Sequence, residues 1–210
     1  MSFSLNEVEA TAKKAARGAG YPWGLADEAG KATRWLEAHG MAGCTRLAAH
    51  LQTVDSADLE SWTPNTATEV WESPSGHLCP IITGSALSDA AYRLRGGPIT
   101  LNQVHTPHLL LSFIAGCSNF LDQAISLTSG NAKALIYLKE MSIDGSLGDE
   151  PCDVTIGLAG QDPKPSELLT RASPDLHDWA ILNRFAKRTY APATAASRAK
   201  GAGAGLTDND

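Results

Sequence analysis

The hydrophobic period of this chain changes after about residue 55, and that change constrains the fold more than any other feature. Up to about residue 55, apolar residues recur every three or four positions, as on one face of a helix. From Thr66 onward they gather into short runs rich in Val, Ile, Leu and Thr, parted by Gly, Pro, Asn and Asp. Helices, then closely spaced strands, then a last helical stretch make the order of an α+β protein rather than of alternating βαβ units. The expected architecture is an N-terminal helical layer (1–55) packed on a mixed, largely antiparallel sheet (66–160), followed by a C-terminal helix and an ordered Gly-rich tail (174–210), all in a single domain 1–210.

Local signals sharpen this outline. Ser4 and Glu7 form a capping box, in which each side chain satisfies a free backbone N–H at a helix start. Leu5, Val8, Ala12, Ala15 and Ala19 then share one face, and Gly18 and Gly20 end the helix. Pro22 opens a second helix running to about His39, whose Ala26 and Gly30 form a flat strip suited to a tight helix hairpin. A third helix is expected around 45–51, and others around 85–94 and 174–188. Strands are expected near 68–71, 80–83, 100–104, 109–114, 124–128, 134–138 and 153–158, with a hairpin turn at Gly130 and Asn131.

Composition excludes several classes. Apolar residues at 43% and charged residues at 19% are globular values. The longest apolar run, 109–115, is far shorter than the roughly 20 residues of a membrane helix, and the first residues lack the basic and apolar regions of a secretory signal, which favours the cytoplasm. The net charge is −6, and residues 56–180 hold 15 acidic against 6 basic side chains, which disfavours nucleic acid. Cys44, Cys79, Cys117 and Cys152 are too widely spaced for a zinc or redox pair and read as reduced, mostly buried thiols.

No diagnostic catalytic motif is present. Gly201, Gly203 and Gly205 lack the strand and helix of a dinucleotide fingerprint, and Ser197 with Lys200 lacks the companion motifs of the penicillin-recognising enzymes. His77, Cys79, His105 and His108 are of metal-ligand type, but in an extended chain His105 and His108 would face opposite ways, so no metal site is expected. The tryptophans read as core or interface anchors, except Trp23, which stands between Pro22 and Gly24 at a helix start where an anion could bind.

The strip 18–32, with Leu5-Asn6-Glu7-Val8-Glu9 before it, resembles a bacterial family catalogued as domain of unknown function number 3726. Residues 188–192, Ser197-Arg198 and 201–210 resemble the same family, and this implies an ordered tail. One functional expectation is a small-molecule metabolic enzyme acting on a carboxylate-bearing substrate. Its site would join Tyr21 and Trp23 to Arg198, Lys200, Gly201, Gly203 and Gly205, with Glu28 or Asp208 as acid or base. In that reading 201–210 packs against the loop 18–24. The alternative is a non-catalytic accessory or subunit protein acting through protein–protein contacts, with a partner or as a homo-oligomer. No cofactor is indicated.

Overall fold

The computed structural model describes residues 1–190, so the expectations placed on the tail, including Arg198, Lys200, Gly201, Gly203, Gly205 and Asp208, lie outside the described residues. The helical layer forms as its periodicity predicts. Helix α1 (Leu5–Gly18) is capped by Ser4, whose hydroxyl accepts the N–H of Glu7 at 3.1 Å, and α2 (Trp23–Ala38) follows directly after Pro22. Helix α3 (Gly43–Val54) has no capping side chain of its own, because Ala42 precedes it. The buried carboxylate of Glu37 takes that role from α2, accepting the N–H of Cys44 at 2.8 Å. The C-terminal helix (Leu176–Lys187, here α6) is capped by Asp175 and packs on α1 and α3.

Six strands form the main sheet: β2 (Val70–Trp71), β3 (Ile99–Val104), β4 (Ile125–Ser129), β5 (Ala132–Tyr137), β6 (Glu140–Asp144) and β7 (Cys152–Leu158). Their order is β2-β3-β7-β4-β5-β6, with β2 parallel to β3 and every other pair antiparallel. The short strands β1 (Phe3–Ser4) and β8 (Arg171–Ala172) pair separately and fasten the start of α1. Gly130, at φ 55, and Asn131 make the two-residue turn expected between β4 and β5. Ile99, Leu101, Ile125, Leu127, Val154 and Ile156 face the core, whereas Thr100, Ser126, Thr128 and Thr155 alternate with them on the half-exposed face.

Two expected strands are helical. Residues 80–83 open α4 (Pro80–Asp89), and 109–114 pass from a 3-10 turn (Pro107–Leu110) into α5 (Leu111–Leu121). Both runs are apolar on nearly all sides because they lie between two cores, and over so few residues a fully buried helix and a fully buried strand carry the same pattern. Strand β6 was not expected, and the helix expected at 85–94 starts earlier and gives way to a 3-10 turn at Ala91–Arg95.

One core lies under the sheet, around Trp71, Leu101, Ile125 and Ile156. The other fills the space among α1, α2, α3 and α6 around Ala12, Leu47 and Phe185. Helices α2, α4 and α5 contribute to both. None of the described helices is long and apolar enough to cross a membrane.

Close helix contacts rest on glycine. A Cβ on Gly18 would collide with the backbone carbonyl of Phe185, and one on Gly30 would stand 2.8 Å from the carbonyl oxygen of Glu9. Gly18→Ala and Gly30→Ala should therefore each lose about 1–3 kcal/mol in urea unfolding, since overpacking outweighs the roughly 1 kcal/mol of helix propensity gained. Gly116→Ala on the open side of α5, where a Cβ meets nothing within 4 Å, should be neutral or stabilising.

Candidate functional site

Chemistry-bearing side chains converge where α3, the segment before α4 and the end of β3 meet. Leu78 makes a parallel bridge with Val104: its N–H donates to Gln103 O and the N–H of His105 donates to Leu78 O, both at 3.0 Å. Side chains alternate along paired strands, so Leu78 and Val104 enter the core while His77, Cys79 and His105 turn to the opposite side. A bulge in β3 between Leu101 and Val104 re-aims the strand end, with Gln103 at φ 50 and its N–H donating to Asp153 Oδ1 at 2.8 Å. Trp62, from a 3-10 turn (Leu59–Trp62), covers the imidazoles. Its ring centroid lies 5.8 Å from that of His77 and 5.4 Å from that of His105.

Behind this rim lies a buried polar chain. The Tyr21 hydroxyl is 2.8 Å from His50 Nε2 and 3.1 Å from Cys79 Sγ, and Sγ is 3.7 Å from Nε2. Cys79 is the N-cap of α4, and its sulfur accepts the N–H of Ile82 at 3.5 Å. The Ile82 N–H donates to Sγ in either of two consistent networks: the thiol S–H donates to the Tyr21 oxygen and the Tyr21 O–H to Nε2, or Nε2–H donates to the Tyr21 oxygen and the Tyr21 O–H to Sγ. In both, His50 is a neutral imidazole whose buried Nδ1 has no partner among the described residues; in the first network that nitrogen carries the proton and is a donor. Burial drives this state: it pushes the His50 pKa down to about 3, with nearby His105 adding to the fall, and it pushes the Cys79 thiol and Tyr21 hydroxyl up.

His105 is also held below its ordinary value, by burial first and then by His77, with Glu150 opposing. Of the five buried side-chain nitrogens and oxygens that lack a hydrogen-bond partner among the described residues, four are the Nδ1 atoms of His50, His77, His105 and His108. His108 belongs to a neighbouring cluster, because a left-handed Thr106 at φ 47 turns the chain before it. Its Nε2 faces Arg46 Nη2 at 3.2 Å. Its Nδ1 lies 3.2 Å from Asp149 Oδ1, at ion-pair distance but outside hydrogen-bond geometry, and Arg46 Nε donates to the same oxygen at 3.1 Å. Among the described residues no three His, Cys, Asp or Glu side chains are arranged to hold a metal ion.

The residues expected from the sequence are dispersed. Tyr21 is fully buried in the polar chain, whereas Trp23 is 56% exposed and lines a surface hollow of about 440 Å³ with Arg17, Gly20 and Arg188. Glu28 sits in an ion cluster in which Lys31 bridges Asp27 and Glu28, and Lys13 with Lys31 holds the Asp27 carboxyl below its usual range. A larger groove of about 760 Å³ runs between the start of α1 and the end of α2, but Arg34 and Lys31 on its wall are already paired with carboxylates. His50 and Trp62 were not singled out. The signal available was position, since His50 shares the buried face of α3 with Leu47, Leu51 and Val54.

Residues 3–88 match the family model described as Protein of unknown function (DUF3726). The DUF3726 stretch holds Tyr21, His50, Trp62, His77 and Cys79, and it ends before His105 and does not reach the C-terminal residues where a resemblance was expected. No curated protein matches the chain. Among solved structures, malate dehydrogenase from Entamoeba histolytica is similar at a TM-score of 0.42 and 12% sequence identity over 89% of this chain; the match spans 61% of that enzyme's length. A likeness this distant carries no chemistry from one to the other.

Two outcomes follow from the burial of these groups. Cys44, Cys79 and Cys117 are buried and Cys152 is half-exposed, so a disulfide-exchange reagent at pH 8 should titrate one thiol in the native protein and all four in denaturant. The unfolded chain takes up a proton at His50 near pH 6.5, whereas the folded one resists until about pH 3. Stability is therefore fully present above pH 6.5 and falls as the pH drops below it, by up to about 1.4 kcal/mol per pH unit for this group. His105 and His108 act in the same direction. Urea unfolding of His50→Gln between pH 6.5 and 4.5 should show a slope shallower by up to one proton, and equal slopes would contradict a neutral buried His50.

Proposed function

We propose that the protein is an enzyme of small-molecule metabolism acting on a carboxylate-bearing substrate, with His50 as the central polar group. The observation that carries this reading is the fully buried His50, held through Nε2 by Tyr21 at 2.8 Å while its Nδ1 has no partner among the described residues. A fold gains nothing from leaving a buried donor unpaired, which costs about 1–3 kcal/mol, unless a ligand supplies the acceptor. A neutral imidazole donor suits an oxygen on which negative charge develops, because it stabilises that charge without first being neutralised by it. His105, whose ring centroid lies 6.3 Å from that of His50, is the nearby group suited to carry a proton to or from the substrate. Tyr21 and Cys79 position His50 and do not themselves reach the reacting atoms.

The test is a thermal-shift screen of small mono-, di- and keto-carboxylic acids, followed by product analysis by NMR for each acid that stabilises the protein. His50→Gln should lower kcat by about 10²–10⁴-fold while leaving the fold intact by circular dichroism. Full activity in that variant, or no stabilisation by any acid, would sink the proposal.

A second reading, a non-catalytic accessory or subunit protein, draws on Leu168 and Leu169, which are 37% and 50% exposed on the groove beside α1 and α2. Light scattering that shows a monomer with no retained partner would remove it.

A further inference from the structure

Building on the enzyme reading above, we propose that the substrate carboxylate is taken up between the imidazoles of His77 and His105, against the face of Trp62, and that one proton enters with it. The two rings stand 5.9 Å apart, edge to face, and Trp62 lies within 6 Å of both. Both are half-buried, and each has a buried Nδ1 without a hydrogen-bond partner among the described residues. They form the outer end of the aromatic series whose inner end is His50, its ring centroid 6.3 Å from that of His105.

The surroundings select an anion. The titratable and charged groups facing the pair are His50 from α3, the uncharged thiol of Cys79 and Glu150 from the loop before β7. Arg46, Asp149 and His108 are engaged with one another. Among the described residues the charge opposing the fall at His105 is that of Glu150, outweighed by burial and by His77. A carboxylate between the rings supplies the missing negative charge, favours the imidazolium form and so draws a proton from solvent near neutral pH. Trp62 excludes water from one side and strengthens the resulting charge-assisted hydrogen bonds.

The experiment is calorimetric titration of the full chain with malonate in buffers of unlike ionisation enthalpy, from pH 6 to 8. The expected result is one malonate per chain, uptake of about one proton, affinity falling toward tenfold per pH unit as the pH rises, and a change in Trp62 fluorescence that is lost in Trp62→Phe. His77→Gln and His105→Gln should each weaken binding at least tenfold and abolish the proton uptake, whereas His177→Gln, at an exposed imidazole of α6, should retain both. Should His105→Gln fail to fold, His77→Gln and the imidazole 15N shifts of the unaltered protein decide the matter. Absence of binding, or binding indifferent to pH and to both substitutions, overturns the proposal. Proton-linked binding that these substitutions remove, in a protein that converts none of the bound acids, upholds it and overturns the enzyme reading alone.

Discussion

Two backbone hydrogen bonds between Leu78 and the end of β3 hold this structure's chemistry together. They lay the segment before α4 alongside the sheet, and the alternation of side chains then does the rest. Leu78 and Val104 complete the core while His77, Cys79 and His105 emerge together toward α3. The same pairing places Cys79 as the cap of α4, so that the sulfur meets both a helix N-terminus and the Tyr21 hydroxyl. A slip of one residue would send the imidazoles into the core and Leu78 outward, an arrangement that hydrophobic burial disfavours strongly.

The polar chain beyond this bridge is held neutral by its own burial. Desolvation penalises the imidazolium, the thiolate and the phenolate alike, and no opposite charge close by offsets it. A neutral network still needs every donor paired. The unpaired Nδ1 atoms of His50, His77 and His105 therefore mark a cost to stability concentrated in one patch, the pattern expected where a fold is shaped for a ligand rather than for its own rigidity. In the neighbouring cluster Arg46 contacts both Asp149 and His108, but the Nδ1 of His108 is likewise left without a hydrogen-bond partner among the described residues.

Around the site the scaffold is made stiff by close approach. Glycines at Gly18, Gly30 and Gly43 let α1, α2, α3 and α6 touch backbone to side chain or backbone to backbone, and α2, α4 and α5 each bury residues in both cores. The helical layer and the sheet therefore share elements, which gives the side chains at their junction a fixed geometry.

Local chemistry in the sequence determined the helical layer and much of the sheet. The Ser4 cap on the Glu7 N–H, the small-residue face of α2 and the Gly130–Asn131 turn are signalled within a few residues. Ala134, Leu135 and Ile136 are all buried, but the strand signals at 100–104, 124–128 and 153–158 held because one face of each is buried and the other is not, so alternation is visible. It failed at 80–83 and 109–114, where burial on all sides erases the period that separates helix from strand. The site itself was only partly legible. His77, Cys79 and His105 were recognisable as reactive types, but their shared direction depends on a bridge, a bulge and a left-handed turn formed with partners far along the chain. Tyr21 and Trp23 are two residues apart, yet one is buried beside His50 and the other faces solvent. Spacing could not reveal that division, because it is decided by which side of the start of α2 the third helix and the sheet happen to cover.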